Sequence, residues 1–326
     1  MSELHKFIFE GLPVRGMLVR LTDGWQEILR RRRGAGGYPP EVEQLLGQMT
    51  AAGVLMQGNI KFNGALVLQI SGDGPLKLAV AEVQSDLSFR ATASFGPQGP
   101  ESVPAGASLS QMVNVDNRGR CAITLDPKDR LPGQQPYQGV VPLFDDRHEK
   151  LEKLSEVLEH YMLQSEQLDT CLVLAANAEL AAGLLIQRLP VMGQGNLAGQ
   201  MDRDANEDQI GRNEDYQRVA MLAATLQPQE LLSLSADQIL HRLFWQEPIT
   251  RFEPQQPRFA CTCSRQRVSG MLRGLGRVEV GQILAEQGRI EVGCEFCGVL
   301  YHFDAVDSAQ VFTDHSDQPP VPDGLH

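Results

Sequence analysis

Four of the six cysteines fall in one C-terminal stretch, as Cys261-Thr262-Cys263 and Cys294-Glu295-Phe296-Cys297. A chain of 326 residues can bury a core without disulfide staples, so clustered thiols in it point to metal binding or redox chemistry. Two soft-ligand pairs separated by residues 264–293 suit a structural zinc site, in which four thiolates close on one ion. Ile290 and Val292 before the second pair alternate with their neighbours, as do Tyr301 and Phe303 after it, so the pair is expected in a hairpin turn with both sulfurs aimed inward. With one intervening residue, the first pair makes a strained chelate and holds its sulfurs close enough to oxidise to each other. Cys121 and Cys171 stand alone in apolar segments.

Other chemistries meet specific objections. A catalytic zinc needs an open coordination position, and a zinc deaminase also needs a His-x-Glu with a Pro-Cys-x-x-Cys, neither of which occurs. A thiol–disulfide oxidoreductase of thioredoxin type would open a helix beside a strand with its Cys-x-x-Cys, and no such unit surrounds residues 294–297. Arg258, Arg265, Arg267, Arg273 and Arg277 leave a zinc-ribbon binder of nucleic acid or protein open as the alternative. Four thiolates on Zn²⁺ carry a formal −2, however, which local arginines would neutralise. His302 reads as strand surface rather than a further ligand.

The formal net charge is −12, a field that repels phosphate backbones and anionic lipid, so neither nucleic acid nor membrane is the expected partner. Glu3, Lys6 and Glu10 interrupt the apolar run a signal peptide needs, and a cytoplasmic address is the expectation.

Residues 1–190 read as an α/β domain of mixed strands and helices. Apolar runs at 6–10 and 17–21 precede a helix pattern opened by Asp23 and closed by Gly34, where Arg30, Arg31, Arg32 and Arg33 complement the helix dipole. A second helix starts at Pro39-Pro40, with Val42, Leu45, Leu46 and Met49 on one core-facing stripe. Residues 66–80 read as a hairpin through Ser71-Gly72-Asp73-Gly74-Pro75. Strands are expected at 111–114, 121–125 and 137–143, a helix over 146–167 with His148 and His160 on its solvated face, and a buried strand pair over 171–190. Residues 193–218 hold six acids, three arginines and few aliphatics, a linker of low local stability. Helices are expected at 219–226 and 236–245, the second with a capping box from Ser235 to Gln238.

The cysteine module resembles that of the thirty-three-kilodalton redox-regulated heat-shock chaperones, a bacterial holdase family with Cys-x-Cys followed by Cys-x-x-Cys. The blocks FEPQQPRFACTCSRQRVSGMLRGLG, EQGRIEVGCEFCGVLYHFD, ILHRLFWQE, GDGPLKLAVAE, PYQGVVPL, SEQL and AAGLLIQRLP extend the resemblance, in family order, over nearly the whole chain. One departure is Arg90-Ala91-Thr92, where the family pattern has Arg-Gly and an aromatic; the strand is expected to tolerate it.

The resemblance implies a chaperone domain over 1–190, a metastable and partly helical linker over 191–254, a zinc redox-switch module over 255–312 and a disordered tail over 313–326. It implies an ATP-independent holdase, not an enzyme, inactive while Cys261, Cys263, Cys294 and Cys297 hold Zn²⁺. Oxidation under stress would form disulfides, most simply Cys261–Cys263 and Cys294–Cys297 by sequence proximity. The zinc would be lost, the linker would unfold, and a homodimer would bind unfolding clients, with transfer to an ATP-dependent chaperone system to follow.

Overall fold

The computed structural model describes residues 1–34, 36–130, 133–189 and 210–313. Most of the low-stability linker expected over 193–218, and the tail after Thr313, lie outside these residues. The chain divides into two units, one ending at Ala260 and the other beginning at Cys261.

The first unit is built on two sheets. One has β1 (Glu3–Phe9) and β2 (Val14–Leu21) at its centre, while the other contains the hairpin of β3 (Gly64–Ser71) and β4 (Leu76–Gln84) followed by β5 (Ser88–Phe95). Strands β6 (Arg120–Pro127) and β7 (Tyr137–Pro142) extend the second sheet, and the buried hairpin β8 (Thr170–Ala176) and β9 (Ala181–Arg188) extends the first. Two short strands late in the unit, β10 (Ile249–Arg251) and β11 (Arg258–Phe259), complete the orders β10-β1-β2-β9-β8 and β11-β5-β4-β3-β6-β7.

Helix α1 (Asp23–Arg33) carries the four arginines in its last turns, and α2 (Pro40–Asn59) joins both sheets into one core. The stripe Val42, Leu45, Leu46 and Met49 is buried as expected, but Ala51, Ala52, Val54 and Leu55 are buried too. A helix apolar on most sides belongs inside a fold rather than on its surface. Gly47 is what admits β8 so close: a Cβ there would sit 2.4 Å from that of Ala176.

Three local expectations are corrected. Residues 109–113 form helix α3 (Leu109–Val113), not a strand, because Ser108 and Gln111 make a reciprocal capping box. Helix α4 (Leu154–Glu166) begins later than residue 146, because the Asp145 carboxylate accepts from the N–H groups of Arg147 and Glu149 and folds a turn first. Asp23 is the first residue of α1, and Thr22 holds the cap position. At Arg90-Ala91-Thr92, β5 keeps its pairing with β4: Ala91 is buried, Arg90 meets Glu82 at 2.6 Å and the Thr92 hydroxyl meets that of Tyr38.

The first sheet is covered on both faces. Leu4, Met17, Val19, Leu21 and Leu185 share the core of α2, while Phe7, Phe9, Val14, Leu18, Leu184 and Ile186 face a second apolar cluster. That cluster is supplied by α5 (Glu214–Ala224), α6 (Pro228–Ser233) and α7 (Ala236–Phe244), through Tyr216, Val219, Leu231, Ile239, Leu243 and Phe244. The Ser235–Gln238 capping box opens α7 as expected. Burial on both faces explains why β9 is buried at every position and runs apolar without alternation from Ala181 to Ile186. Among the described residues, no helix is long and apolar enough to cross a membrane.

The second unit contains α8 (Arg265–Leu275), α9 (Arg277–Gln287), the hairpin of β12 (Ile290–Gly293) and β13 (Leu300–Phe303), and α10 (Ala305–Thr313). Among the described residues, Leu272, Val280, Ile290, Phe303 and Val311 form its buried apolar cluster, with a few partly buried side chains packed against it. A core this small is marginal without a staple or a metal.

Candidate metal centre

Two local devices position the four clustered cysteines. Cys261 and Cys263 lie on the extended stretch that leads into α8, whose cap Ser264 accepts from the Arg267 N–H at 3.2 Å. Cys294 and Cys297 occupy the β12–β13 turn, where the Cys294 N–H donates to the Val299 carbonyl at 2.9 Å and the Gly298 N–H donates to the Cys294 carbonyl at 2.8 Å. Gly298 sits at φ +70°, in the left-handed region that favours glycine, and lets the chain turn back under the sulfurs.

The four Sγ atoms lie within 4.8 Å of one another. Contacts run across the two pairs, Cys261 to Cys294 at 3.7 Å and Cys263 to Cys297 at 3.3 Å. Four sulfurs on a tetrahedral ion at the usual zinc–sulfur distance stand about 3.8 Å apart, so this donor set fits one thiolate-bound metal. The Tyr301 hydroxyl donates to Cys263 Sγ at 3.1 Å, and that bond pushes the phenol up to about 12. Burial raises the Cys294 and Cys297 thiols as well, and a cation bound among these sulfurs would favour their thiolate forms.

The arginines around the first pair are largely occupied in building the fold. Arg265 donates to the His302 carbonyl at 2.8 Å, pairs with Asp307 at 2.8 Å and lies over the Phe303 ring. Arg267 donates to the Thr262 hydroxyl, Arg273 donates to the Val311 carbonyl, and Arg277 lies over Phe312. Arg258 belongs to the first unit and pairs there with Asp86 at 2.5 Å. Arg258 and Arg265 are thus paired with carboxylates, whereas Arg267, Arg273 and Arg277 meet neutral partners and remain exposed. His302 points to the surface and pairs with Glu291 at 3.3 Å, outside the sulfur cluster.

The remaining two cysteines are elsewhere. Cys121 is fully buried on β6, and Cys171 lies on β8 beneath α5, its Sγ 3.8 Å from the Ala220 carbonyl. The sequence reasoning missed Tyr301 as a sulfur partner. The alternation placing Tyr301 in a hairpin was visible, but nothing local showed that its hydroxyl would reach Cys263 across the turn.

The family model described as Hsp33 protein matches residues 2–304. The 33 kDa chaperonin of Chromobacterium violaceum is 44% identical over 311 residues, spanning 95% of this chain and 94% of that protein. The 33 kDa chaperonin of Methylobacillus flagellatus is 42% identical over 313 residues, spanning 96% and 94%. The crystal structure of the Thermotoga maritima 33 kDa chaperonin shares the fold, with a TM-score of 0.71 at 18% identity over 95% of this chain and 97% of that one. With a family match over most of its length and relatives above 40% identity, the chain belongs to the Hsp33 protein family.

Proposed function

We propose that this chain is an ATP-independent holdase chaperone, a binding protein and not an enzyme. In the reduced form it holds Zn²⁺ through Cys261, Cys263, Cys294 and Cys297 and is inactive. The observation that carries the reading is the convergence of four sulfurs within 4.8 Å in a unit whose described residues form a small buried apolar cluster. Metal binding to small thiolate modules contributes apparent folding free energies of about 10–16 kcal/mol, so a unit this small depends on its ion.

Oxidation removes the ligands. Each cysteine pair, 261 with 263 and 294 with 297, gives up two electrons as its two thiolates react with one hypochlorous acid molecule, which leaves as chloride and hydroxide while one S–S bond forms. No thiolate then remains to hold a cation, and the module unfolds. The segment ending at Ala260 loses its folded neighbour in the chain, and α5 to α7 lift from the first sheet. The apolar face of Phe7, Phe9, Leu18 and Leu184 becomes available to unfolding proteins in the cytoplasm, to a second copy in a homodimer, and to clients awaiting an ATP-dependent chaperone.

Light scattering from a heat-denaturing client, with metal content measured in parallel, tests this. The reduced, metal-loaded chain is expected to suppress aggregation poorly and the hypochlorite-treated, metal-free chain well. Equal suppression by both would leave only a structural metal module. Salt-dependent retention of DNA or RNA would instead favour the zinc-ribbon alternative, and catalysed insulin reduction the oxidoreductase.

A further inference from the structure

We propose that the outer edge of β1 is a docking edge for extended segments of unfolding proteins, held closed in this structure by the chain's own residues 248–255. The inference rests on the holdase reading and adds where and how the client's backbone is held.

β1 has β2 on one side and, on the other, a late segment of the same unit that pairs Phe7 with Arg251, Ile8 with Thr250 and Phe9 with Ile249. The Glu10 N–H donates to the Pro248 carbonyl and the Phe252 N–H to the Lys6 carbonyl, both at 2.9 Å. Leu4 and Gln255 exchange two further backbone bonds, at 2.9 and 3.0 Å. Few side-chain contacts hold this seat, and the partly buried one joins Arg251 to His5 Nδ1 on β1 at 3.2 Å. Thr250 with Glu10 and Arg251 with Asp237 are exposed contacts, of a kind that contributes little to stability. Phe252 is 52% exposed, and only Ile249 joins the apolar cluster around Phe7, Phe9 and Phe244.

The edge is therefore held chiefly by backbone groups, with one aliphatic side chain and the Arg251–His5 contact beside them. Any extended polypeptide with an apolar residue at that point supplies the same backbone bonds and apolar contact, and main-chain pairing is sequence-tolerant recognition. Such tolerance suits a protein that must hold many clients. The same stretch goes on to close the second sheet. Arg258 and Phe259 run parallel to Ser88 and Phe89, and the Ala260 N–H donates to the Phe89 carbonyl at 3.1 Å. Cys261 follows directly, so the residues that cover the outer edges of β1 and β5 are those covalently next to the metal module. Unpaired edges invite strand addition, and a chain that exposes them only on demand avoids pairing at rest.

The test uses period-two alternation along an extended strand. In residues 248–252 the even positions turn their backbone groups toward β1 and the odd positions turn them away. A labelled, end-capped peptide of residues 247–256 is compared with one N-methylated at Thr250 and Phe252 and another at Ile249 and Arg251. Binding to the full-length, hypochlorite-oxidised chain is read by anisotropy, with a heat-denatured enzyme as competitor and light scattering in parallel.

The parent and the 249/251-methylated peptides are expected to bind alike and to be displaced by the client. The 250/252-methylated peptide should bind about tenfold more weakly, having lost two backbone hydrogen bonds. None should bind the reduced chain. Equal binding of the two methylated peptides, or no peptide binding while the client is still held, overturns the docking edge and leaves the holdase reading standing. Peptide binding that tracks dimer formation and resists client displacement assigns the edge to a second copy, which also overturns the proposal. Failure to hold client in either redox state overturns the holdase reading, and with it the client as occupant.

Discussion

Arg188 donates from Nε to Asp169 Oδ2 at 2.7 Å, in an ion pair almost wholly removed from solvent. The other carboxylate oxygen of Asp169 accepts from the Gly211 N–H at 3.0 Å, so one side chain ties the β8–β9 hairpin to the stretch that enters α5. Removing one partner of a buried pair leaves a desolvated charge behind, at a cost of about 3–5 kcal/mol. Asp169→Ala is therefore expected to lower the urea midpoint and to speed amide exchange from Gly211 through α5. Unchanged protection at Gly211 would show that the pair does not anchor this stretch.

Phe244 is the aromatic anchor of α7. Its ring stands edge-on to Phe9 at 5.0 Å between centroids and lies 6.0 Å from Phe7. Truncating a buried phenylalanine costs about 3–5 kcal/mol, here at the interface between the first sheet and α5 to α7. Phe244→Ala should retain its metal yet suppress client aggregation without oxidant, since it weakens docking directly. An inactive variant with exchange unchanged across α5 to α7 would show that these helices do not gate client binding.

What the sequence revealed follows how local each signal is. The cysteine spacing, the β3–β4 turn, the β8–β9 pair and the Ser235–Gln238 box are each written within a few residues. Strands β10 and β11 were not legible, because their partners β1 and β5 lie far away in the chain and each is too short to alternate. α2 was only half legible: its stripe was visible, but burial on its other sides depends on two sheets that meet around it. The loop before α4 misled because apolar Leu151 continues the helical spacing while Asp145 folds a turn. At the site, the four cysteines were legible from spacing, whereas the Tyr301 bond to Cys263 depends on how the turn folds.

Burial against β8 pushes the Glu159 carboxyl up to about 7 from an ordinary 4.5, although the Leu172 N–H donates to it at 2.6 Å. Glu156 of α4 and Lys153 just before it act on it in opposite senses, and Cys171 of β8 and Tyr216 of α5 face it. Below about pH 4.5 the group is protonated in folded and unfolded chains alike and costs nothing. Between 4.5 and 7 the unfolded chain ionises first, so stability falls as pH rises, and above 7 the full penalty applies. Glu159→Gln should match the parent near pH 4.5 and exceed it by about 2 kcal/mol at pH 8, less than a fully buried carboxyl would give. Urea titrations across this range would sink the assignment if the difference were flat with pH.

The two cysteines outside the cluster report separately on global and local opening. Once the module's four thiols are oxidised, Cys121 and Cys171 are the thiols left to alkylate. Burial pushes each up to about 12, Cys171 with a further contribution from Glu159. At pH 7 only roughly one such thiol in 10⁵ is ionised, so both should resist iodoacetamide while folded. Cys121 lies in the core between Ile70 and Val141 on the neighbouring strands and should label only when the whole first unit unfolds. Cys171 is covered by α5, so lifting that helix should restore an ordinary thiol while the sheets persist. In hypochlorite-treated protein Cys171 is expected to label much faster than Cys121, and Phe244→Ala should show the same order without oxidant. If the two label together, or if Cys171 stays protected while client is held, then α5 does not leave the sheet when the chaperone is active.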